Sequence, residues 1–123
     1  MGNRFFRFGN DGATQRNSIR LEKRPDDGWF NVLAHGDGRR FIIDGRKISP
    51  EAFVKLLLDR GYQKGEPIRL VVCFSGLKPN GPAAKLSKIL NAKVQAPTDK
   101  VSLNDLYEFE HNLKGKFVIF DIK

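Results

Sequence analysis

Apolar and polar positions along this chain change period several times, and each change predicts an element. "WFNVLAHG" is apolar at most steps from Trp29 to His35, and Gly36-Asp37-Gly38 then supplies the backbone freedom of a tight loop. A half-buried to buried strand ending at His35 is expected. "RFIIDGRKI" reads as a short hairpin about Asp44-Gly45, a pair that suits a type I′ turn. Ser49, Pro50 and Glu51 then form a helix start, with a side-chain cap, a proline at the first helical position and a carboxylate near the positive dipole end. Phe53, Leu56, Leu57 and Arg60 lie on one stripe of that helix, which ends at Gly61. The run "PIRLVVCF" has the near-continuous apolar character of a central, parallel strand. After a loop from Ser75 to Gly81, Pro82 opens a second helix with Ala83, Leu86, Ile89 and Leu90 on its apolar stripe, and "AKVQAPTD" is a third short strand.

The ends are less regular. Residues 1–17, rich in Gly and Asn, read as a loosely ordered arm in which "RFFRF" is a possible edge strand. Ile19 and Leu21 alternate with Arg20, Glu22 and Lys23, which predicts a strand leading into a turn at Pro25-Asp26-Asp27-Gly28. Residues 1–28 are thus expected to be an arm and edge strand, and residues 29–123 the α/β body of one structural unit. "LYEFEHNLKGKFVIFDIK" alternates on either side of Asn112 to Gly115 and predicts a terminal antiparallel hairpin. The fold class is α/β: a single domain with an open, mainly parallel, right-handed sheet, two covering helices and a C-terminal antiparallel hairpin.

Composition narrows the partners. Of 123 residues 40% are hydrophobic, ten of them Phe, which supplies one core, while the mean hydropathy of -0.43 describes a soluble protein. No apolar run approaches the ~20 residues of a membrane span and the first residues lack a secretory pattern, so no membrane partner is expected. One cysteine permits no internal disulfide, and with only His35 and His111 beside it a zinc site lacks ligands. Neither metal nor other cofactor is expected. The 22 basic against 14 acidic side chains give +8, a field that draws a phosphate polymer or an acidic protein.

Ligands of open α/β sheets bind beyond the carboxyl ends of the strands, and His35, Cys73, Ser75 and Thr98 all fall there. His35 is a candidate general acid or base, set against the simpler reading of a loop histidine. Cys73 is a candidate thiolate nucleophile, set against the buried small apolar residue that free cysteine usually is. Ser75 offers a hydroxyl, and the backbone N–H groups near Gly76 suit a phosphate or oxyanion. Gly36 and Asp37 shape a loop that lets substrate approach the backbone, and Arg39, Arg40 and Lys78 would hold phosphates, with Arg46-Lys47 beyond the next turn. His111 would join His35 as the acid of an acid/base pair, although an exposed strand residue is the simpler reading.

Together the His35-Gly36, Cys73-x-Ser75-Gly76 and Ala96-Pro97-Thr98 motifs, spread over residues 29–101, resemble the C-terminal toxin modules of bacterial polymorphic toxins of the contact-dependent growth inhibition and Rhs types. The resemblance implies a piece of a larger secreted or surface-delivered effector that acts in the target-cell cytoplasm and is neutralised by a cognate immunity protein. It further implies a ribonuclease, with transfer RNA the expected substrate and elongation factor Tu a conceivable activating partner. In that reading metal-independent acid/base chemistry centres on His35, with Ser75, Thr98 and Cys73 orienting the phosphodiester. The His-Gly and strand-terminal Cys also resemble the dyad of caspase-like cysteine peptidases, which implies His35 as base and Cys73 as nucleophile. A non-enzymatic binding toxin is the remaining alternative.

Overall fold

A computed structural model describes residues 4–121, and Met1 to Asn3, the first residues of the expected arm, and Ile122 and Lys123 lie outside the described residues. The elements in chain order are β1 (Phe5–Arg7), α1 (Gly12–Glu22), β2 (Phe30–Leu33), β3 (His35–Gly36), β4 (Phe41–Ile43), β5 (Arg46–Ile48) and α2 (Pro50–Asp59). They continue with β6 (Ile68–Val71), α3 (Pro82–Leu90), β7 (Val94–Pro97), β8 (Val101–Leu103), β9 (Phe109–His111) and β10 (Phe117–Phe120). The main sheet has the order β1-β2-β6-β7-β10, parallel throughout except for β10, which runs antiparallel to β7.

Alternation along the parallel strands divides two faces. Val32, Ile68, Leu70, Val94 and Ala96 join Phe53 and Leu57 of α2 and Ala83, Leu86 and Leu90 of α3 in the larger core. Phe41 is stacked on Phe53 with ring centroids 3.9 Å apart, so β4 is anchored to that same core. Burying each such large side chain stabilises the fold by roughly 1.5–3 kcal/mol before entropy is counted. The α2 start is as its residues predict: Ser49 Oγ accepts the Ala52 N–H at 3.2 Å with Pro50 first in the helix. Asp44 and Gly45 both have positive φ, +49° and +82°, as a type I′ turn requires.

Leu33 and Val71 face the other way and pack with Leu21, Val101 and Leu103. Below them on that face runs a polar row, Asn31, Arg69 and Gln95, in register across three strands. Arg69 is 5% exposed and donates to Asn31 Oδ1, Gln95 Oε1 and Asp27 Oδ2, so its charge is fully engaged. Burial of Asp27 raises its pKa, but the hydrogen bond and charge of Arg69 outweigh this and hold it below the usual carboxylate range.

Two expectations are corrected. The strand through Ile19 and Leu21 is helix α1, whose buried stripe is Thr14, Ser18 and Leu21. Two of those three are small and polar, which erased the apolar period of a helix from the sequence. Hence residues 4–28 are no loose arm: β1 pairs with β2 and α1 covers the second face, making a third helix beside the two on the first. The antiparallel hairpin near the C terminus is built one element earlier than the alternation suggests. β9 pairs with β8, while β10 crosses to the edge of the main sheet and pairs with β7. Leu103 and Val101 have their buried partners on the second face, and Val118 and Phe120 have theirs beside α3, so burial sends the two halves of "FEHNLKGKFVIF" to different sheets.

Candidate active-site cleft

Between α1, the β8–β9 hairpin and the carboxyl ends of β2 and β6 opens a cleft of ≈ 790 Å³. His35, Cys73 and His111 all line it, with Arg16, Arg20 and Lys100 as its cations and Asp105 and Glu110 as its anions. Strand ends from distant parts of the chain thus meet at one rim, as open α/β sheets require of a ligand site.

His35 is held from the helix above it. Its Nε2 lies 3.0 Å from Asp11 Oδ2 and 3.1 Å from Thr14 Oγ1. Asp11 caps α1, accepting the Thr14 N–H at Oδ2 and the Thr14 hydroxyl at Oδ1. An ionised carboxylate only accepts, so Nε2 carries the proton and Nδ1 is the ring's acceptor nitrogen. The hydrogen bonds from His35 and then Thr14 hold the Asp11 carboxyl well below the usual carboxylate range. One helix cap thereby fixes the tautomer and tilt of an imidazole.

His111 stands in a different environment. It is half-buried, its ring meets Phe117 edge-on with centroids 4.7 Å apart, and Nδ1 is buried with no hydrogen-bond partner among the described residues. Burial pushes its pKa below the ordinary histidine value. The ring is therefore neutral at neutral pH, and the expected exposed strand residue is instead part of the cleft wall.

The remaining candidates separate. Cys73 is half-buried among Leu21, Leu33 and Val71, and its thiol points to the Val101 carbonyl at 3.8 Å, with no hydrogen bond to His35. Ser75 is 1% exposed and donates to the Val72 carbonyl at 2.7 Å, so its hydroxyl faces no ligand. The Ser75 and Gly76 N–H groups are likewise taken by the carbonyls of Val72 and Pro97. Thr98 Oγ1 accepts the Lys116 N–H at 3.1 Å at the β7–β10 edge, outside the cleft. Gly36 and Gly76 are explained by packing: a Cβ would lie 2.6 Å from Val72 Cγ1 at the first and 2.6 Å from the Ala96 carbonyl oxygen at the second. Asp37 accepts the N–H groups of Arg40 and Arg39, which hold its carboxyl below the usual range. Arg39, Arg40 and Lys78 are exposed and do not line the cleft.

Sequence reasoning passed over Asp11, Thr14, Arg16, Arg20 and Lys100. The signal for the first two was present, since Asp11-Gly12-Ala13-Thr14 is an N-cap followed by a hydroxyl three residues on. Among the described residues no group of three or more His, Cys, Asp or Glu is placed to hold a metal ion, and no helix is long and apolar enough to cross a membrane. No curated protein and no solved structure matches the chain. One family model does match, over residues 4–118, and so takes in β1 and α1 with the rest of the fold. The chain belongs to that family, described as a domain of unknown function (DUF8616).

Proposed function

We propose that the cleft is the active site of a ribonuclease and that the chain is the toxic module of a polymorphic bacterial toxin, with transfer RNA as substrate. The observation that carries the nuclease reading is the pair of histidines lining one cleft in opposite surroundings. His111 is kept neutral by burial and is suited to take a proton, whereas Asp11 balances the charge of His35 whenever its ring is protonated. In the reaction His111 takes the proton of a ribose 2′-hydroxyl, and the 2′ oxygen attacks the phosphorus. The bond from phosphorus to the 5′ oxygen breaks, and His35 gives that oxygen a proton from Nδ1. The products are a 2′,3′-cyclic phosphate and a 5′-hydroxyl. Arg16, Arg20 and Lys100 supply positive charge beside the dianionic phosphorane.

Delivery by a larger effector, neutralisation by an acidic immunity protein and help from elongation factor Tu rest on the motif resemblance, and the +8 charge suits an RNA substrate and an acidic immunity protein. Cys73 shares the cleft, which keeps the cysteine peptidase as the second reading. Inducible expression in bacteria with mapping of new RNA ends separates the readings. The nuclease predicts discrete ends that vanish with His35→Ala and persist with Cys73→Ser. Growth arrest with intact RNA, abolished by both substitutions, would replace it with the peptidase; arrest that survives His35→Ala would mean a binding toxin.

A further inference from the structure

One cation that does not line the cleft, Lys47, stands in cross-strand register with its histidine, and Arg40 lies beside that row. In the three-stranded sheet β3-β4-β5, His35 lies opposite Ile42 and Ile42 opposite Lys47. Residues directly opposite across strands share a face, so His35, Ile42 and Lys47 form one row, with about 5 Å per strand step and roughly 10 Å from end to end. Arg40, two residues before Ile42, continues that face and is exposed, as is Lys47. Arg39 is exposed beside them, and Lys78 is brought close because the Gly81 backbone abuts both Lys78 and the Gly38 carbonyl. Among the described residues Arg39, Lys47 and Lys78 make no ion pair, and Arg40 reaches Asp37 only at 4.0 Å. The Asp37 carboxylate, held ionised by two backbone N–H groups, lies within electrostatic reach of both Arg40 and Lys47 and offsets one of the four positive charges. Excess positive charge is thus laid along a surface that starts at the catalytic histidine.

We propose that this basic surface beside the row is a track for the phosphates of a single nucleic-acid strand extending out of the cleft, so that the protein binds an oligonucleotide and not a lone nucleotide. The inference rests on the reading of the cleft as a phosphodiester-cleaving site. Exposed cations spread outward from a phosphodiester-cleaving site suit the phosphates of a strand that continues beyond it.

The test is equilibrium binding, by fluorescence anisotropy at several salt concentrations, of single-stranded oligonucleotides of about twelve nucleotides carrying 2′-O-methyl groups so that they cannot be cleaved. A dinucleotide of the same chemistry is the control, and Arg40→Gln/Lys47→Gln is the variant. Removing two phosphate contacts should weaken the long ligand on the order of tenfold and lower the slope of log K against log salt by about 1.4. The dinucleotide affinity and the melting temperature should not move. Unchanged affinity and slope for the long ligand, or an equal loss for both lengths, would overturn the track. So would polyglutamate displacing the oligonucleotide at equal charge concentration, which would assign the surface to an acidic protein. Failure of the cleavage reading is distinguishable: the wild type would then bind the long ligand with the expected dependence on Arg40 and Lys47 yet leave natural RNA intact.

Discussion

A methyl group at Gly36 would meet Val72 Cγ1 at 2.6 Å and the Cys73 carbonyl oxygen at 2.9 Å. Neither neighbour yields easily, because Val72 is 1% exposed and the other contact is backbone. Gly36→Ala is expected to destabilise the protein by about 1–3 kcal/mol, read as a lower midpoint in urea at unchanged slope. Asp11 acts through its charge rather than its packing. Asparagine is as good an N-cap as aspartate, so Asp11→Asn keeps α1 in place and removes only the charge that balances His35. The expected result is a fall in kcat of about a hundredfold or more with KM and melting temperature held, the pattern of a positioning residue. A parallel loss of stability would show that Asp11 serves only the helix. The sequence placed His35 at a strand end because glycines follow it, but the partner that orients it sits 24 positions earlier, in a segment whose helix was hidden.

That helix shows where periodicity fails at the scale of elements. α2 and α3 bury Phe, Val and Leu and were legible from their stripes and their prolines, whereas α1 buries Thr14, Ser18 and a single leucine. Its attachment therefore depends on Leu21 and on polar ties to the hairpin, in which Arg20 donates to the Leu103 carbonyl and Asn17 Oδ1 accepts the Leu103 N–H. Leu21→Ala is expected to cost about 2–5 kcal/mol. Amide exchange should quicken first in α1 and the β8–β9 hairpin while the strands under α2 and α3 stay protected; uniform loss of protection would contradict this division. β1 to β2, β2 to β6 and β6 to β7 all step the same way across the sheet, yet α1 lies on the face opposite α2 and α3. The first connection therefore has the opposite hand from the other two, against the strong right-handed preference. On that face alone does Asp11 reach His35, so the rule that predicts the rest of the topology misses the element that completes the site.

For the whole molecule, the two faces divide the labour: one holds the larger core and the other, partly polar, holds the cleft. Burial of neutral His111 also couples folding to pH. Its folded pKa lies below the unfolded value near 6.5, so the unfolded chain binds the proton more readily and the contribution is present above that pH and lost as pH falls below it. His111→Leu should accordingly flatten the decline of stability below pH 6.5 in urea titrations, and an unaltered decline would contradict the burial of that ring. If His111 is the base of the proposed reaction, the same shift should put the acid limb of kcat/KM below the ordinary histidine value in the wild type, because the base must be free of its proton. The histidine pair is tested by incubating a single transfer RNA with the purified chain, with a chelator present, and identifying the new ends chemically. Acid/base cleavage by this pair should leave 2′,3′-cyclic phosphate and 5′-hydroxyl ends, lost with His35→Ala and with His111→Ala. Intact RNA, or ends bearing 5′-phosphate that appear when a divalent cation is restored, would contradict it.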